Sequence, residues 1–249
     1  YCMPESEYGE DHAFLRCGER LSYDEIARVA GLFARLGVHK LRLTGGEPLL
    51  RKHLPRLVGK LGEIPGIDDI ALTTNGMLLA FQARELALAG LRRITVSLDT
   101  LDPDVFLRMS GGRGDLKRVL AGIDAALAAG LAPVKVNAVV QRGVNDHFVL
   151  DLLERFRGTG VVVRFIEYMD VGTRNAWDRS QVVSSAELVA RIQQRWPLRP
   201  LEENYRGETA SRYAFLDGGG EVGFISSVTQ PFCGDCTRAR LSTDGKLFT

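Results

Sequence analysis

The chain has 249 residues, 45% of them apolar, enough for one large α/β domain or two small ones, which excludes global disorder. With 32 basic and 31 acidic residues the net charge is +1, so no global field draws nucleic acid or an anionic membrane, and an anionic ligand must be met by locally placed Arg and Lys. No apolar run approaches the roughly 20 residues that span a bilayer, and no basic-then-apolar signal pattern opens the sequence; neither nucleic acid nor membrane is an expected partner, and the cytoplasm is the expected compartment.

Along the chain, Ser22-Tyr23-Asp24-Glu25 joins a capping residue to a Glu three positions on. Ile26, Val29, Ala30, Phe33 and Leu36 follow at helical spacing, and Gly37 ends the helix. The patterns then predict a strand near 39–44, a strand near 69–74, a helix over 78–89, a strand near 92–98 and a helix opened by Asp102-Pro103. Next come a helix over 115–129, a strand near 133–140, a helix over 146–157, a strand near 161–168 and a helix opened by Ser184-x-x-Glu187. Strands separated by helix-length segments predict βα units and a parallel sheet. After Pro200 the pattern changes: Tyr213–Leu216 and Glu221–Ile225 read as a hairpin around Gly218-Gly219-Gly220. Residues 1–197 are therefore expected to form the main α/β body, and 198–249 a small appended α+β region.

Every second residue of the predicted strands gives one polar face: Lys40, Arg42, Thr44; Thr73, Asn75; Thr95, Ser97, Asp99; Lys135, Asn137. The other face carries Leu41, Leu43, Leu72, Ile94, Val96, Leu98, Val134, Val136 and Ala138, suited to packing beneath crossover helices. A curled sheet would thus have a polar, basic interior, unlike the branched-apolar filling of a closed βα barrel. A partial, open barrel with a ligand inside is the simplest solution. A flat doubly wound sheet with polar strand ends in solvent is the alternative.

Two segments carry chemistry. Leu43-Thr44-Gly45-Gly46-Glu47-Pro48 ends a strand with bare backbone at the carboxyl edge of the sheet, where small ligands bind in parallel α/β folds. Cys233-Gly234-Asp235-Cys236 puts two soft ligands on a tight turn, a spacing used at both zinc and iron–sulfur sites, although two thiolates do not close a site. Cys2 and Cys17 are isolated, and the four histidines, His12, His39, His53 and His147, share no ligand-like spacing. Arg238 and Arg240, at alternate positions beside the cysteine pair, can turn two guanidiniums toward one anionic or purine ligand, or can simply be a solvated basic patch. Arg42, Lys135 and Arg164, on or near the polar phase of three strands, suit phosphate.

Tyr1-Cys2, the GGEP segment and Phe232–Leu241 together resemble the radical S-adenosylmethionine (SAM) enzymes that cyclise GTP in the first step of molybdenum cofactor biosynthesis. The resemblance extends through Leu43–Arg51, Leu72–Gly76, Val96–Thr100, Lys135–Val140 and Arg164–Gly172. It implies a partial, open TIM-type βα barrel, SAM and two [4Fe–4S] clusters. Cys2 would ligate the first cluster, and Cys233 and Cys236 the second. Tyr1, Gly45, Gly46, Glu47, Ser97 and Met169 match SAM positions; Lys40, Arg42, Thr73, Lys135, Arg164, Arg238, Ala239 and Arg240 match GTP positions. In such enzymes the cluster reduces SAM to methionine and a 5′-deoxyadenosyl radical. The radical takes the 3′ hydrogen of GTP, and the ribose radical closes on C8 to give 3′,8-cyclo-7,8-dihydro-GTP. An external electron donor and the downstream cyclic pyranopterin monophosphate synthase are implied partners, and a homodimer is compatible.

Two rivals stay open: a peptide-modifying radical SAM enzyme, and a non-catalytic GTP-, SAM- or zinc-binding protein. The family's first loop carries three cysteines, of which Tyr1-Cys2 matches only the last. Its C-terminal pair is followed by a third, which the spacing would put directly after Thr249. The chain therefore reads as truncated at both ends. Because one thiolate cannot hold a four-iron cluster, the parent gene is expected to encode C-x-x-x-C-x immediately before Tyr1. Sequencing across that boundary checks it, and an open reading frame without those cysteines would favour the non-catalytic reading.

Overall fold

The computed structural model describes residues 15–172, 175–231, 234 and 236–249. They form two compact units that interleave in sequence.

One unit comprises residues 13–96, 117–134 and 238–249. Its first helix, α1 (Tyr23–Arg35), starts in the predicted capping box: Ser22 accepts from the Glu25 amide, and the Glu25 carboxylate accepts from the Ser22 amide at 2.7 Å. Strands β1 (Lys40–Leu43), β2 (Asp69–Thr74) and β3 (Arg93–Ser97) lie parallel in that order, Leu43 opposite Leu72 and Thr73 opposite Thr95. Helix α2 (Leu54–Gly62) was not expected, since Pro55, Gly59 and Gly62 depress intrinsic propensity. It forms because Leu54, Leu57, Val58 and Leu61 recur on one face and are all buried, while Pro55 sits in the first turn, where it is tolerated. Helix α3 (Leu79–Leu88) and most of α5 (Leu116–Ala128) complete the unit.

The other unit holds residues 97–116 and 135–237. After α4 (Pro103–Met109), capped by Asp102 ahead of Pro103 as read from sequence, come β4 (Val134–Val140), α6 (Val149–Phe156), β5 (Val162–Glu167) and α7 (Ser185–Gln193). The C-terminal strands are β6 (Leu198–Leu201), β7 (Ser211–Phe215) and β8 (Glu221–Ile225). The expected hairpin is the β7–β8 pair, antiparallel with Tyr213 opposite Val222. A third strand, β6, extends it, and β8 runs parallel to β5 with Arg164 opposite Gly223, so residues 198–225 continue the sheet of this unit. β6 contains Pro200, which the end position of this strand tolerates.

The two faces of the strands follow the predicted phase. Ile70, Leu72, Ile94 and Val96 in one unit, and Val136, Ala138, Val163 and Phe165 in the other, are buried at 3% exposure or less. On the opposite face of β2 and β3, Asp69 and Arg93 form an ion pair whose side chains keep 16% and 27% exposure, with one hydrogen bond of 2.9 Å. This pair lies at the strand entrance, away from the glycine loop. Asp69→Ala strands a half-buried guanidinium and should lower stability by about 1–3 kcal/mol in thermal unfolding. Adding Arg93→Met should recover much of that loss, since the remaining charge is removed with its partner.

Candidate active site

The loop after β1 is built by one carboxylate. Glu47 is the N-cap of a single 3₁₀ turn, Pro48–Leu50, accepting from the Leu49 amide at 2.9 Å. It also accepts from Thr74 Oγ1 and the Asn75 amide, each at 2.7 Å, which ties the loop to the end of β2. Glu47, expected among the SAM contacts, thus spends both oxygens on shaping the loop that presents Gly45 and Gly46. Gly45 has φ +143°, a conformation open chiefly to glycine, and a side chain added at either glycine would meet nothing within 4 Å. The result is an exposed length of bare backbone at the strand end.

Within the same unit, Arg42 lies on the polar phase of β1 and donates to Thr73 Oγ1 at 3.0 Å and Thr95 Oγ1 at 3.3 Å. Three neighbouring strands thus meet at one guanidinium, and the Thr73 hydroxyl has a defined function as its acceptor. Lys40 is exposed at the start of β1. Arg238, Ala239 and Arg240 are exposed, with Arg240 in a short ribbon, β9 (Arg240–Leu241) against β10 (Leu247–Phe248). That ribbon is anchored by the Leu21 amide donating to the Thr243 carbonyl at 2.8 Å.

In the other unit, Lys135 and Asn137 share the half-buried face of β4, and Arg164 Nε donates to Asn137 Oδ1 at 2.9 Å. Room for the Arg164 side chain comes from Gly223 opposite, where an added Cβ would stand 3.1 Å from Arg164 Cγ. Ser97 is exposed at the end of β3, and Met169 is 41% exposed just past β5, its carbonyl held by Asn175 Nδ2 at 3.1 Å. Asp99 accepts from the Val139 amide at 2.8 Å. Burial nonetheless dominates and pushes its carboxyl up to about 6. Tyr1, Cys2 and Cys233 lie outside the described residues; Cys236 is exposed.

Sequence reading missed Glu167. It falls in the phase of Val163 and Phe165, on the face committed to burial, and is 1% exposed. A carboxylate there must find donors, and that demand was the available signal. It accepts from the Ser185 amide (2.9 Å), Ser185 Oγ (3.3 Å), the Val228 amide (2.9 Å), the Thr229 amide (2.8 Å) and Thr229 Oγ1 (2.6 Å). Burial raises its pKa, but these donors to the charged form prevail and hold it below the usual glutamate value.

The sequence model of the radical SAM superfamily matches residues 1–156, and that of Molybdenum Cofactor Synthesis C matches residues 161–249. A protein of Xanthomonas campestris pv. campestris (strain 8004) named GTP 3′,8-cyclase is 59% identical over 249 residues, all of this chain and 73% of the relative. The chain belongs to the GTP 3′,8-cyclase family of radical SAM enzymes. A second member, from Acidothermus cellulolyticus, is 55% identical over the same 249 residues, which are 69% of its length. Among solved structures, methylornithine synthase matches with TM-score 0.57 at 17% identity, over 75% of this chain and 56% of that one. This likeness shows the fold, the partial, open βα barrel of radical SAM enzymes, and the expectation of that fold is met. Membership implies a [4Fe–4S] cluster and SAM.

A carboxyl whose pKa is depressed on folding contributes stability that is complete above its unfolded value and is lost as pH falls through its folded one. For Glu167 the loss begins below about pH 4.3, the ordinary glutamate value. Acid unfolding of Glu167→Gln should therefore show a shallower fall in stability below that pH than the unsubstituted protein, measured by denaturant titration at successive pH values.

Proposed function

We propose that this chain binds GTP for 3′,8-cyclisation, with Arg42 among its phosphate contacts and Arg164 as a supporting one. The observation that carries this reading is the phase of the two arginines. Each projects from the face opposite the helix-packed core, and each is oriented by neutral acceptors, Thr73 and Thr95 for Arg42 and Asn137 for Arg164. A planar guanidinium offers two donors to a phosphate oxygen pair. Lys40 and Lys135 add charge on the same phases. Arg238 and Arg240 are assigned to the purine end, with Ala239 between them leaving room for a base.

The bare backbone at Gly45–Gly46 suits the amino-acid part of SAM, which needs close approach and hydrogen-bonding carbonyls. Ser97 and Met169, both exposed at strand ends, are assigned to the remainder of SAM, and Tyr1 and Cys2 to SAM and its cluster. When bound, SAM and the cluster supply the radical that activates the ribose. The residues of this chain bind, orient and neutralise. Cys233 and Cys236 are assigned to a second [4Fe–4S] cluster: the donor set is soft and the spacing is one that iron–sulfur sites use. The reading carries with it a cytoplasmic reaction, an external electron donor and a cyclic pyranopterin monophosphate synthase that consumes the product.

In the full-length enzyme, Arg42→Ala, Arg238→Ala and Arg240→Ala should each weaken GTP binding by about 1.5–3 kcal/mol, the worth of a charge-assisted contact. Equilibrium binding of GTP measures this, with SAM binding followed alongside as the control. Arg42→Lys should not restore affinity, because an ammonium cannot hold both threonine hydroxyls and a phosphate in one plane. Unchanged GTP affinity in all three alanine variants would sink the assignment.

A further inference from the structure

We infer that the cavity between the start of α1 and the cationic face of α2 is a binding site for a small anion carrying two or more phosphates. Every residue lining it lies in one unit and is described, and none is among the residues read as GTP, SAM or cluster contacts.

The cavity measures about 580 Å³, within the range of small-molecule sites. Arg20, Arg51, Lys52, Arg56 and Lys60 line it against a single carboxylate, Asp24. Asp24 is committed to Lys60, 2.7 Å away, and the other four cations form no ion pair among the described residues. Arg56 and Lys60 stand one turn apart on α2, with Lys52 a turn ahead of them, while Leu54, Leu57, Val58 and Leu61 fill the buried face of the same helix.

The walls are braced by uncharged partners. Tyr23 donates its hydroxyl to the Lys52 carbonyl at 2.7 Å, which joins α1 to the chain ahead of α2. Arg51 donates to the Leu21 carbonyl and lies over the Tyr23 ring, 4.7 Å from its centroid. Helix α2 supplies a second observation. A helix is positive at its N-terminus, where acidic side chains are favoured and basic ones disfavoured. α1 follows that rule, with Asp24 and Glu25 in its first turn. α2 has no acidic residue in its first turn and no side-chain cap, and instead carries Lys52 before that turn and Arg56 within it. Clustered cations and a positive helix end raise one another's energy until an anion joins them. Packing does not account for the cluster, because Arg20, Lys52 and Arg56 are exposed. Three guanidiniums suit phosphate oxygens, which each can hold in pairs, and five cations against one carboxylate call for more than one negative charge.

The test uses the full-length protein and inorganic pyrophosphate, with orthophosphate for comparison. Hydrogen exchange is followed through the titration, so that protection of residues 50–60 is scored apart from protection of the glycine loop beside the proposed GTP contacts. Residues 50–60 should gain protection along a saturating curve whose midpoint rises with ionic strength. Orthophosphate, with fewer charges, should need a concentration at least about tenfold higher. Lys52→Gln and Arg56→Gln, both at exposed positions that folding tolerates, should each raise the pyrophosphate midpoint about tenfold. Arg84→Gln removes an exposed arginine of α3 that does not line the cavity, and should leave the midpoint unchanged. No protection at residues 50–60 in millimolar pyrophosphate, or an unshifted midpoint in both Lys52→Gln and Arg56→Gln, overturns the site. A rise in Arg84→Gln equal to theirs overturns it too, as the response of overall charge. GTP affinity in Arg56→Gln should match that of the unsubstituted protein; its loss would make the cavity part of the GTP site and refute a separate one.

Discussion

The period-two alternation of the parallel strands is the constraint on which the site depends. Each strand must bury one row of side chains beneath helices, and that row is filled by Leu72, Ile94, Val96, Val136, Val163 and Phe165 at 2% exposure or less. Hydrophobic burial of that row fixes the register, and the register then decides where Arg42, Thr73, Thr95, Asn137 and Arg164 point. A one-residue slip in β1 or β5 would turn Arg42 or Arg164 toward the apolar row, where an unpaired charge is costly. Core and binding face are one decision made twice per strand.

Carboxylates do the next level of organisation. Glu47 gathers the glycine loop and the end of β2, Glu167 gathers β5, α7 and the exit from β8, and Asp69 neutralises Arg93 away from the glycine loop. Glu167, whose donors hold its pKa below the usual glutamate value, keeps its charge although buried. Arg42 donates to two threonine hydroxyls and Arg164 to an asparagine oxygen.

Much of this was legible beforehand. The strand phases, the Ser22 and Asp102 caps, the Ser184 helix start and the β7–β8 hairpin follow from local rules that the tertiary structure did not override. The α2 helix was hidden because Pro55, Gly59 and Gly62 speak against it locally, and only burial of Leu54, Leu57, Val58 and Leu61 reverses the balance. Glu167 was hidden for the opposite reason. Its meaning depends on donors 18 and 61 or 62 residues away, a distance over which no periodicity carries information. The Arg42–Thr73–Thr95 cluster was foreseen as a shared face, but its hydrogen bonds need coordinates.

Pro200 has a bearing on solubility. A sheet whose last strand presents a full row of amides and carbonyls invites a strand from another molecule to pair with it. β6 is short, only Leu198–Leu201, and at Pro200 it has no amide to donate, while Arg199 beside it is exposed and charged. An incoming strand would find the hydrogen-bond ladder broken midway and a cation beside the break. An open sheet must keep an edge where a closed barrel has none, and here that edge is made unattractive to its own kind.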